Sequence, residues 1–502
     1  MKISVSGAAA EAGSSHIVAL GVFEKGRAHN ALIKKIKGGA QAVKRHGFTG
    51  KKGQVVEVAT GGAYKAWTVL FVGLGAVEDF DRASCRRFAA IASRHAQGLK
   101  AASLALTVPA PDDMALVDAV EMAAQGVMLG TYRFERYKTG ERQSAHELTK
   151  VSLHVPGKVG APLRDAVSRG QAVAEAVTIA RDLINTPPND LYPDALASIA
   201  KDLAKQHKGD GLSCKVFNHA QIKAKGMNLL DAVGRGSSKG PCLIHLQYRP
   251  PGSGRKKLKK LVFVGKGITF DTGGICLKPA PGMEEMKGDM GGSANVIALM
   301  GAVAAAQPEA EVHGIVASAE NMPDGNAYRP GDIFTSYGGK TVEIINTDAE
   351  GRLALADALG YAQELEPDVI IDNATLTGAA VVALGPTVSG FFTNRPALAE
   401  LFSGAAKDTG EAMWHMPLVE ELRQKLDSPW ADMRNVGDRW GGAITAALFL
   451  REFVGEYPWV HLDVAGPSMA DKSYDIYTKG GTGHGVLTYL EVIERFRALE
   501  EE

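Results

Sequence analysis

Residues 260–270 read KLVFVGKGITF, a run of apolar and small residues interrupted only by Lys266 after its first position. A strand this continuously apolar has no polar face to offer water, so it belongs in a sheet covered on both sides. The segments after it keep that pattern: GSANVIALMGAVAAA at 292–306, EVHGIVASA at 311–319, TVEIIN at 341–346, EGRLALADALGYAQEL at 350–365 and DVIIDNATL at 368–376. Strand-like and helix-like runs alternate, which predicts a mainly parallel sheet with helices on both faces. In such sheets ligands sit beyond the carboxyl ends of the strands. The unusual polar residues fall there: Lys266 and Asp271 follow LVFV, NTDAEGRL (346–353) follows TVEII, and DNATLTG (372–378) follows DVII.

Working outward, residues 1–165 show the same alternation, with HIVALGVF, WTVLFVGLG and SLALTVP as strands and RASCRRFAAIASRHAQGL as a helix. GLGA at 73–76 lacks the third glycine of a dinucleotide fingerprint. A helix-like stretch, DAVSRGQAVAEAVTIARDLIN, runs into Pro187–Pro188, where helix continuation is sterically blocked. With 502 residues, more than one core grows economically, two domains are expected. The predicted fold class is α/β: a smaller N-terminal α/β domain over 1–165, a connecting helix and Pro-rich boundary over 166–190, and a larger α/β domain with a mainly parallel central sheet over 191–502.

Composition narrows the function class. Lys and Arg number 56 against 56 Asp and Glu, so bulk charge does not ask for nucleic acid. The basic cluster RKKLKK at 255–260 reads as a solvated turn before a strand. Four cysteines, Cys85, Cys214, Cys242 and Cys276, are scattered without a CxxC pair, which fits a reducing cytoplasm rather than a disulfide framework. No segment reaches the roughly 18 consecutive apolar residues of a membrane span. The longest run, VIALMGAVAAA at 296–306, reads as a buried helix.

The stretch 265–292, GKGITFDTGGICLKPAPGMEEMKGDMGG, holds Lys266, Asp271, Lys278 and Asp289 among glycines suited to close backbone approach, and NTDAEGRL adds Asp348, Glu350 and Arg352. Thr347 and Glu350 are spaced as a capping box, so both acids of that loop could serve a helix N-terminus. Arg352 does not fit that use, because a cation in the first turn faces the wrong end of the helix dipole. Pooled, Asp271, Asp289, Asp348 and Glu350 bring four negative charges to one edge of the sheet. Two divalent cations would cancel them, and oxygen-rich ligation without cysteine or HExxH suits Zn²⁺, Mn²⁺, Mg²⁺ or Co²⁺.

These motifs are similar to the signature of the leucyl aminopeptidase family of cytosolic metallopeptidases. NTDAEGRL, GKGITFDTGGICLKP and DMGG carry the likeness, with INTPPND (184–190), ADMRNVGDRWGGAITAALFL (431–450), HLDVAGP (461–467) and KGGTGHGV (479–486) in the same order. Residues 1–165 resemble the family's N-terminal domain only loosely. The family often has FDSGG and DMGGAA where this chain has Thr272 and Ser293.

The resemblance implies a dinuclear aminopeptidase that removes the N-terminal residue from short peptides with a free α-amine. Asp271 and Glu350 would touch both metals, Asp348 would complete one site, and Lys266 and Asp289 the other. Lys278 would face the substrate carbonyl and Arg352 would hold a bicarbonate ion. Met286, Thr375, Leu376, Gly378 and Ala465 would shape the substrate pocket. The family also implies a homohexamer in the cytoplasm.

Two other classes remain in view. A two-metal carboxylate site on an α/β sheet also serves phosphatases, which commonly add histidine ligands; the quoted loops have none. Some relatives regulate DNA, but the balanced charge and the lack of a helix-turn-helix pattern speak against nucleic acid as a partner.

Overall fold

The computed structural model describes residues 1–26, 30–111, 114–143, 147–254 and 256–498. Arg255, the first residue of the basic cluster, lies outside the described residues. The chain divides into two compact units, one comprising Met1–Thr178 with Lys472–Thr478 and the other Ile179–Asp471 with Lys479–Glu502.

The first unit is built on a six-stranded sheet in the order Lys2–Ser6, Lys150–His154, Ser103–Thr107, Ile17–Phe23, Thr68–Gly75, Val55–Ala59. All its neighbours run parallel except the edge strand Val55–Ala59. Helices Arg82–Gly98 and Leu116–Thr131 pack together over one face, where Gly126 and Gly130 sit so close to Arg86 and Ala90 that a Cβ would reach their carbonyl oxygens. Asp81 caps the first of these helices by accepting from the Ser84 amide at 2.7 Å. The segment Lys472–Thr478 joins this unit through Arg94, which donates to the carbonyls of Asp475 (2.7 Å) and Tyr477 (3.1 Å).

The second unit contains an eight-stranded sheet ordered Met413–His415, Ser389–Thr393, Trp459–Asp463, Val369–Ala374, Lys260–Asp271, Glu311–Asn321, Cys242–Tyr248, Leu212–Phe217. Its four central strands are mutually parallel; Cys242–Tyr248, Ser389–Thr393 and Met413–His415 run against them, and the edge strand Leu212–Phe217 runs with them. Lys260–Asp271 lies at the centre, flanked on both sides, and ten of its twelve residues are fully buried apart from Lys260 and Phe270 at its ends. Its apolar continuity is therefore the consequence of having no wet face.

Helix Gly291–Ala306 is buried around its whole circumference up to Ala304. Met283–Ala306 is long and apolar enough to pass for a membrane span by composition, but 89% of its most apolar window is buried inside the protein, so it is a core helix. Its start presses onto the central strand: a Cβ on Gly265 would stand 2.8 Å from the Gly292 carbonyl, and one on Gly292 would stand 2.0 Å from the Asn373 carbonyl. Any larger residue there would push the helix off the sheet and move what the helix N-terminus carries.

One expectation changes. Strand Thr341–Glu343, which leads into NTDAEGRL, does not join the central sheet but a separate three-stranded one with Ile333–Thr335 and Met433–Arg434. Local alternation marks a strand, while its partners are chosen by side chains far along the chain. The long helix Ala161–Asn185 ends two residues before Pro187–Pro188, as the proline pair requires.

Candidate functional site

Three connections meet at the carboxyl ends of the central strands. The first leaves Lys260–Asp271 through Gly273 and Gly274, both in the left-handed region at φ +86° and +65°. The second is 346–350, which enters helix Gly351–Gln363. The third leaves Val369–Ala374 through Thr375 and Leu376.

Thr347 ties the first two together, accepting from the Cys276 amide at 2.9 Å and donating to the Gly273 carbonyl at 2.6 Å. Its hydroxyl is thus occupied between loops, and the helix begins after Glu350 without a side-chain cap, so the capping-box reading does not hold. Asn321 reinforces the junction, donating to Asp271 Oδ1 (2.8 Å) and to the Thr347 carbonyl (2.9 Å). Thr272 and Ser293, where the chain differs from the usual motif, bond backbone carbonyls: Thr272 to Asn321 at 2.8 Å and Ser293 to Met290 at 2.6 Å.

The result is a cavity of about 540 Å³. It is lined by Lys266, Asp271, Lys278, Asp289, Asp348, Glu350 and Arg352, and also by Met286, Thr375, Leu376, Gly378 and Ala465, so every residue singled out from the sequence reaches one space. Among the described residues no histidine lines it; His461 is buried against Asp372 (2.6 Å) and His484 against Ser389 (3.0 Å).

Charge is arranged in two groups. Lys266 Nζ lies 2.7 Å from Asp289 Oδ1, 2.8 Å from Glu350 Oε1 and 2.8 Å from the Thr375 carbonyl. Lys278 Nζ lies 2.8 Å from Asp271 Oδ2 and also contacts Asp348. Gly351 makes the first group possible, because a Cβ there would stand 2.5 Å from Lys266 Cε.

Burial alone would lower the pKa of Lys266, but the carboxylates of Asp289, Glu350 and Asp271 overrule it and hold the ammonium charged. Lys278 is likewise held above its ordinary value, burial being outweighed by Asp271 and Asp348. On the acid side, burial pushes Asp289 well up, and Glu350 and Asp271 add repulsion that Lys266 only partly offsets. Burial also raises Asp271 and Asp348.

The donor set fits divalent cations. Carboxylate oxygens of Asp271, Asp348 and Glu350 lie within 4.8 Å of one another, and Asp289 Oδ2 is buried with no hydrogen-bond partner. Acids driven toward protonation for want of positive charge are what a hard dication stabilises. A dication beside Lys266 would also reverse the field that now keeps its amine protonated.

Arg352 is 8% exposed and donates through Nη1 to the Asn435 carbonyl at 2.9 Å, while its Nε has no partner. Burial lowers its pKa to about 10. Asn435 is fixed in turn by the Ile345 and Asn346 amides and the Asn346 carbonyl.

Sequence reasoning passed over Asn321, Asn435, Asp463, Glu285 and Asp471, whereas Ser468 belongs to the PSM at 467–469 that the sequence places near the pocket with Ala465. Asn435 and Asp463 lie inside the motifs ADMRNVGD and HLDVAGP, which was their only signal; Asp463 accepts from the Leu376 amide (3.2 Å) and the Thr377 hydroxyl (2.7 Å). Glu285 lies in the stretch 265–292 without having been singled out and Asp471 carried no signal, yet both line the cavity, as does Ser468.

Comparison with known proteins follows the same lines. Residues 178–490 match the catalytic domain of the cytosol aminopeptidase family and residues 19–141 its N-terminal domain. The chain is 44% identical over 468 residues to a probable cytosol aminopeptidase of Aquifex aeolicus, spanning 92% of each. It is 45% identical over 468 residues to one of Streptomyces coelicolor, spanning 89% of this chain and 88% of the other. Among solved structures, a tomato leucine aminopeptidase variant superposes with TM-score 0.89 at 35% identity over 99% of this chain and 96% of that one. The bottromycin maturation enzyme BotP in complex with Mn gives TM-score 0.85 at 36% identity over 96% of this chain and 100% of that one.

Proposed function

The chain belongs to the cytosol aminopeptidase family and is a metallo-aminopeptidase; from that premise we propose that it uses two divalent cations to hydrolyse the first peptide bond of short peptides bearing a free α-amine. One observation carries the reading: four carboxylates and two lysines converge on one cavity, three of the carboxylates within 4.8 Å of each other.

In this reading Lys266, Asp271, Asp289, Asp348 and Glu350 would hold the two cations. Bound there, two dications supply Lewis acidity to the scissile carbonyl and a water of lowered pKa. Mn²⁺ or Zn²⁺ is the expected pair, with Mg²⁺ or Co²⁺ tolerated; the Mn of the BotP complex favours manganese.

Lys278 is the group that meets developing negative charge. Its side chain is 21% exposed, and it bonds only carboxylates that cations would otherwise neutralise, so it is free to turn toward a substrate oxygen and stabilise the oxyanion. Arg352, with an unpartnered Nε, would hold an anion such as bicarbonate, which would supply a proton acceptor beside the reacting water. The Leu376 amide already donates to Asp463, which leaves its carbonyl for the substrate backbone. Met286, Thr375, Gly378 and Ala465 then surround the N-terminal side chain. The family resemblance and four free cysteines favour a cytoplasmic homohexamer, which light scattering tests directly: a monomer at working concentration removes that part of the proposal.

The test of the function pairs metal removal with a blocked substrate. Dialysis against a chelator should abolish hydrolysis of leucyl peptides and added Mn²⁺ should restore it. Acetylating the peptide N-terminus should abolish cleavage by the manganese-loaded enzyme. Full activity of metal-free protein refutes the metal site, and equal turnover of the acetylated peptide refutes the exopeptidase reading.

A further inference from the structure

The segment before helix Gly291–Ala306 and the loop after strand Trp459–Asp463 meet at one wall of the cavity. A Cβ on Gly288 would stand 2.6 Å from Met469 Sδ, and one on Gly291 would stand 2.4 Å from Ser468 Oγ. Glu285 and Asp471 arrive with these two segments, and both line the cavity next to Met286 and Met469.

Both carboxylates are exposed, and neither has an ion pair or a side-chain hydrogen bond among the described residues. Ser468, in the lining of the same cavity, is 4% exposed, and its hydroxyl is buried with no partner. None of the three cations of the cavity pairs with Glu285 or Asp471: Lys266 meets Asp289 and Glu350, Lys278 meets Asp271 and Asp348, and Arg352 donates to the Asn435 carbonyl. Lys287 and Lys472, the nearest cations along the chain to Glu285 and Asp471, do not line the cavity. The wall thus offers acceptors without a resident donor, which is a demand for positive charge from outside.

The thioethers beside it shape that demand. Met286 and Met469 are adaptable apolar surfaces on which the methylenes of a long side chain can lie while its charged end reaches the rim. We infer that the cavity selects peptides whose N-terminal residue is long, apolar along its stem and cationic at its end, as in lysine or arginine, with Glu285, Asp471 and Ser468 receiving the charge. This rests on the aminopeptidase reading and adds the class of side chain to it.

Lysine and norleucine p-nitroanilides separate the two terms, because they share the stem and differ in the terminal ammonium. With manganese-loaded enzyme at low salt, kcat/KM should favour lysine over norleucine by about fivefold or more, the return expected from two rim-exposed pairs. The ratio should fall toward one in the Glu285→Gln/Asp471→Asn double variant, and should narrow in the native enzyme at high salt. Reading the ratio makes norleucine the control for folding and metal loading. A native ratio of one or less, or a ratio unchanged by the double substitution, overturns the inference and leaves the aminopeptidase reading standing. No turnover of either compound by the native enzyme refutes both.

Discussion

Replacing Arg352 with alanine should separate a brace from a chemical group, because the structure sets two stability terms against each other. The guanidinium is buried, and its pKa is lowered to about 10 from 12.5, so its charged form is disfavoured in the fold by about 3 kcal/mol. Deleting the side chain removes that cost. The deletion also loses the bond to the Asn435 carbonyl, a charged hydrogen bond of about 1.5–3 kcal/mol. Asn435 keeps its place regardless, held by the Asn346 carbonyl at 2.7 Å and the Ile345 amide at 2.8 Å. Since Arg352 lines the cavity, water can enter the space it leaves.

The two terms nearly cancel, and unfolding free energy should move by no more than about 2 kcal/mol. Catalysis should respond differently: a positioned proton relay is worth about 10²–10⁴ in rate. We expect kcat to fall by that factor with KM changed far less, the pattern of an interaction made mainly in the transition state. Thermal unfolding, metal content and steady-state kinetics on the manganese-loaded variant decide the matter. If Arg352→Ala unfolds the protein, or loses metal while keeping native kcat per loaded site, the arginine is a brace for the acidic loop and the anion-holding role is wrong.

Two further outcomes are expected. Gly351→Ala adds a methyl 2.5 Å from Lys266 Cε, whose amine is pinned by three partners, so Mn²⁺ affinity measured by calorimetry should drop about 10- to 100-fold with the fold intact; unchanged affinity would show that Lys266 has room to move or takes no part in binding. His245 is held near pKa 4 by burial and by neighbouring His313, below its ordinary 6.5, so the unfolded chain takes up the proton first and stability is lost as pH falls from about 6.5 toward 4. The loss from this residue at pH 5 should be about 2 kcal/mol, and urea unfolding at pH 7 and pH 5 should show a smaller difference in His245→Gln; an equal difference removes His245 as the cause.

How much of this was legible beforehand differs from residue to residue. Asp271 was legible because it ends an apolar run, and such ends lie at one edge of a parallel sheet; Asp348 and Glu350 were pooled with it on the expectation that TVEII joins that sheet, which it does not, and Asp289 on its glycine-rich setting before a helix. Arg352 stood out because its position contradicts the helix dipole. Glu285 and Asp471 could not be paired in this way: nearly two hundred residues separate them, and only the contacts of Gly288 with Met469 and of Gly291 with Ser468 bring them to one wall.

The amino-acid sequence by itself determined the α/β class, the two-part organisation and the set of acids and lysines, because periodicity, proline placement and motif spacing are properties of neighbours along the chain. Tertiary structure decided everything that depends on pairs distant in sequence. It placed Thr341–Glu343 in a separate small sheet, turned Thr347 from a helix cap into a tie between loops, and gave Arg352 a carbonyl partner at Asn435. It also set Lys266 and Lys278 each between two carboxylates. The physical reason is the same throughout: a hydroxyl, a carboxylate or a strand edge takes the partner that packing brings within about 3 Å, and packing is settled by the whole core at once.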